Sequence, residues 1–269
     1  MSTVNEMHRS ETKWPERLWI VRHGESAGNV ARDAAEAAGH TQIDIPTRDA
    51  DVPLSALGER QAQALGHWFR RLPPDERPTV VLASPYLRAR QTADIALEAA
   101  ALGREEDTLI VDERLREKEF GVLDRLTHAG VAALYPEQAE FRRLLGKFYH
   151  RPPGGESWCD VILRLRSSID MLTREFHGER VLLVGHSVVV LCFRYLLERM
   201  TEAEILEIDR TNDVANCSVT SYVFDPALGK HGKLALRDFN FIAPLEEAGE
   251  DITTKPDAPG TVLHLSEAD

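Results

Sequence analysis

Two short apolar runs, Leu18–Val21 and Val181–Val184, each end in a histidine. The first continues into Arg22-His23-Gly24 and the second into Gly185-His186-Ser187. Runs of this length without polar alternation read as strands covered on both faces. A helix-forming stretch follows the second, VVVLCFRYLL, and strand and helix patterns alternate through the chain. That alternation predicts a layered α/β fold with helices on both faces of the sheet. Ligands bind such sheets at the carboxyl edge. A cation, two imidazoles and a turn without Cβ at that edge point to one site.

Further elements follow from local signals. Ala31–Ala38 reads as a short helix, leading into a loop with Pro46 and Pro53 that is expected to pass over the site entrance. Ser55 is placed to cap a helix to about Arg71, with Leu57, Ala64, Leu65, Trp68 and Phe69 as its apolar face. Thr79–Ala83 reads as a strand, and Ser84-Pro85 is expected to open a helix to about Ala101, with the proline at an early helical position. Thr108–Val111 reads as a short strand, and Asp124–Lys147 as helical with weaker periodicity. After the break Pro152–Gly155, the stripe Trp158, Val161, Leu165, Ile169, Leu172 and Phe176 predicts a well-formed helix. Val188–Leu197 is the helix after the second histidine, with Ser187 expected as its N-cap. Val219–Phe224 and Lys233–Phe239 read as late strands near the sheet edge, where pairing between subunits of a homodimer is conceivable. The expected organisation is an extension at 1–17, a domain at 18–242 with a loop inserted at about 30–52, and an acidic tail at 243–269 that wraps or stays mobile.

Charge narrows the function classes. The 269 residues carry 32 basic and 44 acidic side chains, a formal charge of −12. A general nucleic-acid surface needs a basic footprint and is not expected. A local arginine cluster can still set its own potential for a small anion. Cys159, Cys192 and Cys217 have neither CxxC nor zinc spacing, which fits a reducing, cytoplasmic compartment. The opening residues lack an apolar signal region and no stretch is long and apolar enough to span a membrane, so no membrane partner is expected. The remaining histidines lack metal-ligand spacing, and no metal or cofactor is expected.

The residue types at the predicted edge suit phosphoryl transfer. His23 acts as a nucleophile if its ring is fixed with one nitrogen unprotonated. Arg22 and Arg88 offer planar donor forks matched to phosphate oxygens. His186 and the N–H groups of the helix beginning near Ser187 add anion stabilisation. Glu117, in LREKEFG, is the candidate proton donor to the leaving oxygen and then the base for water, provided burial or nearby carboxylates raise its pKa. Ser26 and Asn29 either contact the substrate or serve as cap and turn residues. Trp158 reads as core.

These residues resemble the histidine phosphatase superfamily, the phosphoglycerate mutase-like family. The motifs are RHGES at 22–26, SPYLRARQTA at 84–93, LREKEFG at 115–121, GGES at 154–157 and VLLVGHS at 181–187, and the likeness runs from about Leu18 to Phe224. The resemblance implies a three-layer α/β/α sandwich around a mostly parallel mixed sheet. It also implies a phosphohistidine on His23, a phosphate pocket of Arg22, Arg88 and His186, Glu117 as acid and base, Asn29 near the transferred group, and no metal. Phosphoglycerate mutases usually carry a longer insertion before GES and Gly-Asn after the second histidine. The short spacing here and Ser187-Val188 favour hydrolysis of a small phosphorylated metabolite. A phosphoglycerate-type mutase and a phosphoprotein-binding module with little turnover are the alternatives.

Overall fold

The computed structural model describes residues 13–102 and 109–254. Six strands form one sheet: β1 Arg17–Arg22, β2 Val80–Ala83, β3 Leu109–Val111, β4 Arg180–Gly185, β5 Val219–Asp225 and β6 Lys233–Phe241. Their order is β3-β2-β4-β1-β5-β6. β3, β2, β4 and β1 run parallel, β5 is antiparallel to β1, and β6 is antiparallel to β5. The expected mixed, mostly parallel sheet is therefore present.

Nine α-helices are described: α1 Ala27–Ala37, α2 Ala56–Arg71, α3 Leu87–Ala100, α4 His128–Leu134, α5 Pro136–Tyr149, α6 Trp158–Glu175, α7 Ser187–Glu198, α8 Glu202–Thr211 and α9 Ala243–Ala248. Alternate residues of the central strands feed two cores. Leu18, Ile20, Val181 and Leu183 pack with residues of α6, α7 and α8 on one face. Trp19, Val21, Leu182 and Val184 pack with α2, α3 and Leu245 of α9 on the other. Burial on both faces explains why these strands read as unbroken apolar runs. Trp158, fully buried, belongs to the first core as expected. α2 and α3 approach closely at Gly66, where a Cβ would meet the Ala96 carbonyl and lie 2.7 Å from the Ala99 Cβ.

Register sets the site. Arg22 pairs with Gly185 and Val21 with Val184, so His23 and His186 leave adjacent parallel strands side by side. Ladder bonds continue one step further: His23 N–H donates to Gly185 O at 2.9 Å and Ser84 N–H to Val184 O at 3.0 Å.

Several boundaries differ from expectation. The first helix begins at Ala27, not Ala31, because Ser26 and Asn29 close a capping box at its start. Pro85 precedes α3, whose N-cap is Tyr86; Ser84 instead faces His186. Arg88 is thus the second residue of α3, rather than about one turn in as a helix opening at Ser84-Pro85 would place it. His186, not Ser187, is the N-cap of α7; the backbone stays extended through His186, leaving Ser187 as the first helical residue. β5 is interior, between β1 and β6, and only β6 lies at that edge. Thr108 and residues 255–269 of the expected strand and tail lie outside the described residues. Residues 243–254 return to the sheet: Leu245 is fully buried, and Asp251 O accepts from Gln61 Nε2 at 2.9 Å. Among the described residues, no helix is long and apolar enough to cross a membrane.

Candidate active site

The carboxyl ends of β1, β2 and β4 bring together Arg22, His23, Ser84 and His186. The 3-10 turns flanking residues 116–120 bring Glu117 to the same place. Arg22, His23, Glu117 and His186 are all fully buried. Such burial of polar groups requires partners.

The His23 ring is held by both nitrogens. Nδ1 lies 2.7 Å from Gly24 O, an acceptor only, so Nδ1 carries the proton. Nε2 then bears the lone pair and accepts from Arg88 Nε at 3.3 Å. The backbone around the ring is equally constrained. Gly24 N–H donates to Thr92 Oγ1 at 3.0 Å, and Asn216 Nδ2 donates to His23 O at 2.9 Å. Gly24 itself is required by close approach, since a Cβ there would lie 2.5 Å from the Gly58 carbonyl oxygen.

His186 sits edge-on to His23, with ring centroids 5.1 Å apart. Its Nε2 is 2.8 Å from Ser84 Oγ and its Nδ1 is 3.6 Å from Glu117 Oε2. The other carboxylate oxygen, Glu117 Oε1, accepts from Lys118 N–H at 2.7 Å. Tyr86 packs edge-on to His186, with centroids 5.2 Å apart, and the Arg88 guanidinium lies 5.0 Å from its ring centre. The Tyr86 hydroxyl donates to Glu119 at 2.9 Å. Burial, followed by the Glu119 charge, holds the Tyr86 hydroxyl well above its ordinary pKa, so it stays protonated.

The arginines are anchored rather than splayed. Arg22 Nη1 donates to Val214 O at 2.6 Å and to Thr254 O at 3.4 Å. Arg88 donates from Nη1 to Asp49 O at 2.7 Å and Oδ1 at 3.0 Å, and from Nη2 to Asp49 Oδ2 at 3.2 Å. Glu156, the acid of GGES, pairs with Arg116 and with Arg164 at 3.0 Å. Arg164 also donates to Glu117 O at 3.2 Å, bracing the segment that carries Glu117.

Two clefts reach this group. One reaches Arg22 and Ser187, the other Arg88, Ser26 and Asn29, and Phe120 borders both. The expected loop lines the second cleft through Ile43, Ile45, Thr47, Asp49 and Val52. Ser26 and Asn29 also form the α1 cap: Asn29 Oδ1 accepts from Ser26 N–H at 3.0 Å and from its hydroxyl at 2.9 Å. Arg22, His23, Arg88, Glu117 and His186 thus converge, with Ser187 at the adjoining helix start.

Other residues of the group were not singled out in the sequence. Ser84 and Thr92 lay inside SPYLRARQTA, so their motif was the signal. Tyr86 lies in the same motif, with no separate signal of its own. Asn216 had no local signal, because its partner His23 is 193 positions away.

The family model for the histidine phosphatase superfamily (branch 1) matches residues 18–234. A probable phosphoglycerate mutase GpmB of Yersinia enterocolitica is 30% identical over 178 residues, covering 65% of this chain and 72% of that protein. A mycobacterial hydrolase structure aligns with a TM-score of 0.64 and 26% identity, over 84% of this chain and 98% of that one. A mycobacterial glucosyl-3-phosphoglycerate phosphatase in complex with VO3 aligns with a TM-score of 0.62 and 25% identity, over 84% of this chain and 99% of that one. The fold, the five motifs and the matched span agree. The chain belongs to the histidine phosphatase superfamily, branch 1, and is an enzyme of phosphatase type.

Proposed function

We propose that the protein hydrolyses a small phosphomonoester through a phosphohistidine on His23. The observation that carries this reading is the fixed His23 tautomer: Nδ1–H is tied to Gly24 O, leaving the Nε2 lone pair beside Arg88. Nε2 attacks phosphorus as the bond from phosphorus to the leaving oxygen breaks. Glu117, entering protonated, gives its proton to that oxygen and releases an alcohol. Its carboxylate then takes a proton from water, the water oxygen attacks phosphorus, and the P–N bond breaks to release phosphate. Glu117 is reprotonated by this step, so one group serves both halves.

Arg22, Arg88 and His186 spread the charge of the transferred group, together with the N–H groups at the start of α7. Preorganised donors in a water-poor site are worth more than the same donors in water. Ser26, Asn29 and Ser187 border the phosphoryl position. We assign the catalytic unit to residues 18–242, and place the protein in the cytoplasm on the strength of its three free thiols.

A second reading has one specific support: the relative at 30% identity is a probable phosphoglycerate mutase. A mutase would keep the phosphohistidine and return the group to a bound acceptor. The test is phosphate release from sugar phosphates, phosphoglycerates, nucleotides and phosphopeptides, with wild type beside His23→Ala. The expected result is release lost in the variant. Interconversion of phosphoglycerates without release would favour the mutase, and release unaffected by the substitution would refute both.

A further inference from the structure

A cavity of about 530 Å³ opens between α6, the end of α7 and the start of β6, within the size range of small-ligand sites. It lies far from the reacting groups. Lys233, on its wall, pairs with Asp225 at the end of β5, and Val223 of β5 pairs with Arg17 at the start of β1. The cavity therefore sits at the amino edge of the sheet, opposite the histidines. α7 spans the distance: its 12 residues begin at Ser187 beside the active site and end about 18 Å away.

The floor is apolar. Ile169, Leu196, Leu197 and Met200 rest on the first core yet stay only partly buried, with Trp14 beside them. The rim is cationic: Arg166, Arg199 and Lys233 line it against a single carboxylate, Asp170. Among the described residues, none of these three cations has a hydrogen bond or an ion pair. Neighbours on the same helices do, Arg164 with Glu156 and Arg194 with Glu198. Carboxylates are plentiful in a chain of net charge −12, so an unneutralised basic rim sets this place apart. Arg199 adds a second observation. It ends α7 in the left-handed conformation, φ 55° and ψ 44°, a position that glycine usually fills without steric cost. The chain accepts that strain and gains a cation on the rim.

We propose that this cavity binds an amphipathic monoanion, a carboxylic acid with an unbranched apolar chain. The chain lies on the floor, where aliphatic walls and the flexible Met200 adapt to its shape. The carboxylate takes the rim arginines, whose donor forks match its two oxygens. A concave site of this volume accepts one chain from solution, whereas a flat bilayer face would leave it unfilled. The inference is independent of the phosphatase reading, because no reacting residue lines the cavity.

Calorimetric titration of the full chain with dodecanoate, held below its micelle concentration, tests it. One equivalent should bind, about tenfold more tightly than the uncharged dodecanol, and acetate should not bind. Arg199→Gly suits the left-handed backbone, so a loss of binding there is not a loss of fold. It should weaken dodecanoate by about tenfold, and Lys233→Gln by about threefold. Brominated dodecanoate should quench Trp14 fluorescence, and that quenching should vanish in Trp14→Phe. Equal affinity for dodecanol, uptake of many equivalents without saturation, or binding unchanged in both charge variants would overturn the site. Quenching that survives in Trp14→Phe would place the ligand elsewhere and overturn it too. So would a failure to bind dodecanoate; sedimentation with anionic vesicles, or self-association that Arg199→Gly abolishes, would then assign the cavity to a bilayer or a second copy.

Discussion

His23 and Lys118 show two opposite ways of burying a polar side chain. His23 has both nitrogens held, which fixes its tautomer before any substrate binds. Arg22 belongs with it: Arg22→Ala should lower kcat/KM by about 10²–10³, the usual effect of removing one charge-stabilising donor. The lost bond to Val214 O should cost only about 1–3 kcal/mol of folding, so the variant stays folded and steady-state kinetics beside thermal melting separate the effects. A variant with unchanged turnover would remove Arg22 from the pocket. Lys118 makes the converse prediction: it is buried, yet among the described residues its ammonium has no hydrogen bond and no ion pair. Burial, with Arg142 adding to it, pushes its pKa down to about 8; Lys147 acts in the same direction, while Glu117 and Glu156 oppose it. Between that value and the unfolded value near 10.5 the folded state holds fewer protons, so stability rises with pH through this window and the full penalty applies below it. Lys118→Met should therefore stabilise the protein at pH 7, by at most about 3 kcal/mol, and its advantage should shrink above pH 8. Denaturant melts at pH 7 and pH 9.5 check this; destabilisation at pH 7 would show that the ammonium has a structural partner. A lysine in the charged run REKE reads as surface, so neither its burial nor its isolation was legible in the sequence.

Among the elements, the loop between α1 and α2 has the most direct hold on the site. Asp49 occupies both ends of the Arg88 fork, and a phosphoryl group entering beside His23 must share or displace it. Asp49→Asn keeps an acceptor oxygen but removes the negative charge that opposes an anionic substrate. KM for phosphomonoesters should fall by about three- to tenfold, with kcat changed less, since the lost repulsion acts on ground state and transition state alike. A rise in KM would mean that the charge of Asp49 orients Arg88 for binding. The α2–α3 contact gives a purely structural prediction: Gly66→Ala forces the helices apart against the Ala96 backbone and should cost about 1–3 kcal/mol, read from a denaturant midpoint. Unchanged stability would mean the pair can slide freely. The strands and long helices were legible because burial on two faces leaves unbroken apolar runs and burial on one face leaves a stripe. Their ends were less so. Pro85 suits an early helical position in general, but here Ser84 leaves its strand to face His186, and the helix waits until Leu87. Ser187 is a good N-cap by type, yet the strand stays extended one residue further and His186 takes the position.

Across the whole molecule, the site is closed by segments that arrive from far along the chain. Asn216, before β5, holds the His23 carbonyl, and residues 251–254 hold Asn216 in turn: its N–H donates to Thr253 O at 2.8 Å and its side chain accepts from the Thr253 hydroxyl at 2.9 Å. Gln61 links the same segment to Glu25 N–H, which ties α2, the first histidine turn and the chain's return into one network. The motifs located the side chains that converge at the sheet edge, because each carries them within a few residues. This network was invisible in sequence, because each partner is ordinary locally and meaningful only through the sheet order. Removing residues 250–269 should lower kcat/KM by about tenfold or more through misplacement of His23 and Arg22, with the circular dichroism of the sheet and helices retained. Full activity in the truncated chain would show that the network is dispensable. The central claim is the covalent intermediate, and a rapid-quench experiment with labelled substrate addresses it most directly. An acid-labile phosphoenzyme that forms in wild type, maps to His23 and is missing in His23→Ala is the result expected. Phosphate release at full rate from an enzyme that never carries label on His23 would contradict it.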